Sequence, residues 1–75
     1  MALKISKIKV ESMAAAINAR ESDGSVGGCV AIRGTGTQKP VCMEMTRAGC
    51  DQLNKELQAL DDGSFALFKG EGKPC

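Results

Sequence analysis

In the stretch MTRAGCDQLNKELQALDDG, residues 45–63, Cys50, Leu53, Leu57 and Leu60 recur at intervals of three, four and three. At about 100° per residue these side chains fall in one arc of a helix, with Ala48, Gln52, Lys55 and Ala59 opposite. Thr46 is placed to cap the amino end, Asp51 stands four residues before Lys55 in the favourable order, and Gly63 can supply a closing left-handed residue. A narrow apolar stripe on a helix of about four turns cannot bury itself, so the rest of the chain must provide a surface, most simply a sheet.

The remaining segments read as strands. LKISKIKV, residues 3–10, alternates apolar residues with Lys but changes parity midway, which a bulge near Ser6 and Lys7, or a strand with both faces in play, explains. ESMAAAINARES, residues 11–22, fits a helix capped by Ser12 through its alanines and a strand through its alternation. The turn chemistry of Ser22-Asp23-Gly24-Ser25 and the antiparallel partner VGGCVAIR that follows favour the strand. In that partner, Val26, Gly28, Val30 and Ile32 share a face; Gly28 and Ala15 are expected to face inward, where small residues let the helix approach, with Gly49 doing the same from the helix side. Residues 34–39, GTGTQK, form a connecting loop, Pro40 starts a strand, and Val41, Met43 and Met45 alternate into the helix. SFALFK, residues 64–69, is a last strand, and residues 70–75 are expected to be a frayed tail. The letters MT…G…L…EL…L resemble the opening of the Gre transcript-cleavage factors, but DDGSFALFKGEG reads as turn and strand where those proteins continue into a second long helix. The expected architecture is therefore a single α+β domain over residues 1–75. It is an antiparallel sheet of four to five strands with one helix packed on one face, in the order β-β-β-β-α-β.

Composition then narrows the function classes. Ten basic and nine acidic residues give a net charge of +1, so there is no global field to draw in nucleic acid or an anionic membrane. No run approaches the roughly 20 apolar residues of a membrane span, and residues 1–10 hold no continuous apolar segment of an export signal, so a cytoplasmic location is expected. Cys29, Cys42, Cys50 and Cys75 contain no C-x-x-C pair, and the chain has no His. In a cytoplasmic protein that pattern implies four reduced thiols and no metal, with Cys29 and Cys50 as small core residues and Cys75 exposed.

Without His, the Ser-His and Cys-His nucleophile arrangements are missing, and no carboxylate pair is placed for acid–base work. The expectation is a non-enzymatic module with no cofactor that acts by protein–protein contact, of the kind that phages and mobile elements use as accessory or inhibitor proteins. With two Phe, no Trp and no Tyr the core is poor in large rings, and small domains of this kind gain from self-association, so a homodimer is expected. Candidate partner contacts are Arg33, Thr35, Thr37 and Lys39 of the loop, and Phe65 and Phe68, whose opposite parity puts one under the helix and the other outward. The alternative is nucleic-acid binding through a basic first strand carrying Lys4, Lys7 and Lys9, with Arg20 nearby.

Overall fold

The computed structural model describes residues 5–21, 23–34 and 39–75. The elements run α1 (Lys7–Arg20), β1 (Val26–Ile32), β2 (Val41–Thr46), α2 (Arg47–Gln58) and β3 (Phe65–Glu71). The sheet has three strands in the order β2-β1-β3, and β1 pairs antiparallel with both neighbours. This corrects the expected sheet of four to five strands with one helix: the architecture is α-β-β-α-β, with a second helix replacing both N-terminal strands.

The reason lies in the spacing of apolar residues before residue 20. Val10, Ala14 and Ile17, at intervals of four and three, are the buried residues of α1, a helical spacing that runs across the boundary between the two expected strands. Ser6 caps the helix in place of Ser12, its Oγ accepting from the Lys9 amide at 3.1 Å. Exposed Ile8, Ala15, Ala16 and Ala19 spread apolar residues around the helix and blur its amphipathic pattern.

The second helix follows expectation at its start and departs at its end. Thr46 ends β2 and caps α2 in the same residue, with Oγ1 accepting from the Gly49 amide at 3.0 Å. Cys50, Leu53 and Leu57 are buried, but α2 ends at Gln58 and Leu60 is 46% exposed. Asp61, at φ 55°, takes the left-handed conformation two residues before Gly63 reaches it, as Asp tolerates better than most residues.

Both helices pack on one face of the sheet, α1 toward β2 and α2 along β3. The core joins Val10, Ala14 and Ile17 from α1 with Cys29 and Ala31 from β1, Val41 and Met45 from β2, Cys50, Leu53 and Leu57 from α2, and Ala66 from β3. The inward residues of β1 are thus the odd-numbered ones. Gly28, expected inward, points to the other face, and Ala15 lies exposed on α1. Gly49 does serve close packing, but against α1: a Cβ there would stand 3.5 Å from Ile17 Cγ2 and 3.2 Å from Thr46 Oγ1.

Two disulfides staple this arrangement, which overturns the expectation of four reduced thiols. Cys29 on β1 is bonded to Cys50 on α2 (Cα–Cα 5.8 Å), and Cys42 on β2 to Cys75 at the end of the chain (Cα–Cα 6.0 Å). They close loops with sequence separations of 21 and 33 residues, each restricting the unfolded chain by roughly 3 to 4 kcal/mol in the loop-entropy treatment. A three-stranded sheet with few rings in its core gains from such cross-links.

The C-terminal residues are correspondingly held in place, not frayed as expected. β3 runs on to Glu71, and between the pairs Gly27↔Glu71 and Cys29↔Phe68 it carries one extra residue, a bulge occupied by Gly70 at φ 129°. The chain then turns back, with the Lys73 amide donating to the Gly70 carbonyl at 3.1 Å, and crosses β1 to reach Cys42.

Candidate contact surface

The sheet face away from the helices is built by the even-numbered residues of β1. Val30 lies between Cys42 on β2 and Leu67 on β3, and Ile32 is paired with Phe65. Val30, Ile32 and Phe65 are half-buried while Leu67 is 56% exposed. Cross-strand apolar pairs such as Val30 with Leu67 and Ile32 with Phe65 contribute about 0.2 to 1 kcal/mol each to the sheet, and leave a continuous apolar strip toward solvent.

At the other end of the same face, residues 72–75 form a strap. The Gly72 amide donates to the Val26 carbonyl at 2.8 Å, and the Gly28 amide donates to the Lys73 carbonyl at 2.7 Å. Gly28 is needed for this approach: a Cβ on it would stand 2.8 Å from the Cys75 nitrogen and 3.0 Å from the Lys73 oxygen. Beside the strap is a cleft of about 240 Å³ whose lining includes Val26, Gly28, Cys42, Glu44 and Lys73.

The lateral edges of the sheet are partly covered by helix side chains. Asn54 of α2 accepts from the Ala66 amide of β3 at 2.9 Å, and Asn18 of α1 donates to the Glu44 carbonyl of β2 at 3.1 Å. Each Asn takes up a strand backbone group that would otherwise offer a template to another strand.

The candidate residues are dispersed by this fold. Phe65 and Phe68 do lie on opposite faces: Phe68 packs against the core with the Arg47 guanidinium 5.1 Å from its ring centre, and Phe65 joins the outer strip. Arg33 is half-buried at the end of β1 and Lys39 is exposed, while Thr35 and Thr37 lie outside the described residues. Lys7 and Lys9 stand on α1 instead of a strand, and Lys4 lies outside the described residues. Lys7 pairs with Glu11 at 4.0 Å and Arg20 with Glu56 at 3.9 Å. The basic strand on which the nucleic-acid reading rested is therefore not formed. Sequence reasoning missed Val30, Ile32 and Leu67 as surface residues; the even-numbered alternation of VGGCVAI carries the signal, read with the wrong face inward.

A second polar cluster closes the far end of the sheet. Ser64, 2% exposed, accepts from the Gly34 amide through Oγ at 2.8 Å, and its own amide donates to Asp62 Oδ1 at 2.9 Å. The Ser64 hydroxyl first, and then its amide, hold the Asp62 carboxyl below the ordinary aspartate range. This ties the α2–β3 turn to the end of β1 and is structural in character.

The fold and the outer surface together define a two-layer α+β domain with two disulfides and a helix-free apolar sheet face. Comparison of the chain with protein-family models, curated proteins and solved structures finds no match. Among the described residues no helix is long and apolar enough to cross a membrane, and no group of three or more His, Cys, Asp or Glu is placed to hold a metal ion.

Proposed function

We propose that this chain is a non-catalytic protein-contact module that presents the strip Val30, Ile32, Phe65 and Leu67, and that a second copy of the chain is its occupant. The observation that carries the reading is Leu67, a large apolar side chain 56% exposed that pairs with Val30 beside the Ile32–Phe65 pair on the face without helices. A second copy suits the strip because apolar surface is complementary to itself across a two-fold axis. A net charge of +1 opposes the approach of two copies only weakly. The Asn18 and Asn54 caps favour a face-to-face arrangement over strand addition at the edges. Two disulfides further suit a protein that works in an oxidising compartment.

Light scattering after gel filtration tests the reading. The oxidised chain is expected to elute at twice its mass of 7.8 kDa, and Leu67→Glu to return it to the monomer with its circular dichroism unchanged. A chain that stays monomeric at high micromolar concentration contradicts self-association, and leaves the strip for a foreign protein.

A further inference from the structure

The two disulfides differ in what a reductant can reach. Cys29 and Cys50 are 0% and 1% exposed in the core, whereas Cys42 and Cys75 are both exposed on the outer face. Thiol–disulfide exchange needs a thiolate to reach a sulfur, so access separates the pairs by rate. They also differ in what depends on them. Cys29–Cys50 ties β1 to α2 inside the core, while Cys42–Cys75 holds residues 72–75, all exposed and none part of the core cluster.

We propose that Cys42–Cys75 is a reducible latch that holds the C-terminal strap across the sheet, and that Cys29–Cys50 maintains the fold when the latch opens. A dithiol reductant supplies the chemistry. Its thiolate attacks one sulfur of Cys42–Cys75 to give a mixed disulfide, and its second thiol displaces that bond. The reductant leaves as its own disulfide, two electrons pass to the protein, and Cys42 and Cys75 each end as a thiol. Opening sacrifices no core burial. It frees the Gly28 amide from the Lys73 carbonyl and the Val26 carbonyl from the Gly72 amide, and it removes one wall of the cleft lined by Val26, Gly28 and Glu44. The freed donor and acceptor stand two residues apart on the central strand, where an extended backbone can hydrogen-bond to them. The latch operates within one chain, whether or not the outer strip binds a second copy.

The test uses the oxidised chain of residues 1–75. Peptide mapping without reductant is expected to recover Cys29–Cys50 and Cys42–Cys75; free thiols or crossed pairs overturn the proposal. The chain is then titrated with dithiothreitol, quenched with an alkylating agent and analysed by mass. Cys42 and Cys75 are expected to be labelled together at a reductant concentration at least about tenfold below that needed for Cys29 and Cys50. Circular dichroism stays unchanged over that interval while hydrogen exchange accelerates at the Gly28 and Gly72 amides. A doubly substituted chain, Cys42→Ser with Cys75→Ser, is expected to fold and to show the accelerated exchange without reductant. Labelling of all four cysteines at one concentration, unfolding when only Cys42 and Cys75 are labelled, or undiminished protection of Gly28 in the doubly substituted chain each overturns the latch.

Discussion

Gly28 is the residue at which sequence and structure differ most instructively. Its small size is legible in the sequence, and so is the inference that something approaches it closely. The identity of the neighbour is not, because the strap reaches Gly28 through a disulfide between residues 33 apart, and four cysteines without local spacing allow three pairings. Gly28→Val is expected to push Lys73 and Cys75 of the strap away from β1, with a loss of about 1 to 3 kcal/mol in chemical denaturation and faster reduction of Cys42–Cys75. Asp62 offers a second test at this scale. Because its folded carboxyl titrates below the ordinary value near 3.8, its contribution to stability is present above that value and is lost as the pH falls through the lowered one. Carbon-13 titration is expected to place Asp62 below the ordinary range, and Ser64→Ala to move it part of the way back, since the Ser64 amide remains as a donor.

Among the elements, α2 was readable because its stripe, its cap and its sequence position agree, and Leu53 and Leu57 lie buried where the spacing puts them. α1 was misread because Ile8 and three exposed alanines mask its stripe of Val10, Ala14 and Ile17. Alternation over a short window also mimics helical spacing when small residues fill most positions. The cap decides the matter: Ser6, itself extended, stands at the start of α1 and satisfies the Lys9 amide. Ser6→Ala is accordingly expected to destabilise the domain by about 1 kcal/mol, with no comparable loss for Ser12→Ala, as urea melts of the two variants would show. Leu57→Ala is expected to cost about 2 to 5 kcal/mol and Lys55→Ala under about 0.5, read from the same melts.

At the scale of the whole molecule, the two sheet faces differ in what they carry. One face carries both helices, the core and the buried Cys29–Cys50 bond; the other carries the strap, the exposed Cys42–Cys75 bond and the apolar strip. The loss of two expected strands to α1 leaves a narrow sheet, and the strip is shared equally by its central strand β1 and the neighbouring β3. The sequence allowed the outward Phe to be anticipated through the parity of Phe65 and Phe68. It did not allow the strip as a whole, since that requires the register of β1 against β3. Methyl NMR on dilution from high to low micromolar concentration tests the contact reading most directly. Methyl signals of Val30, Ile32 and Leu67 are predicted to shift together with concentration while those of Leu53 and Leu57 stay fixed; methyl shifts that do not move, or that move only on α1 at Ile8, would contradict it.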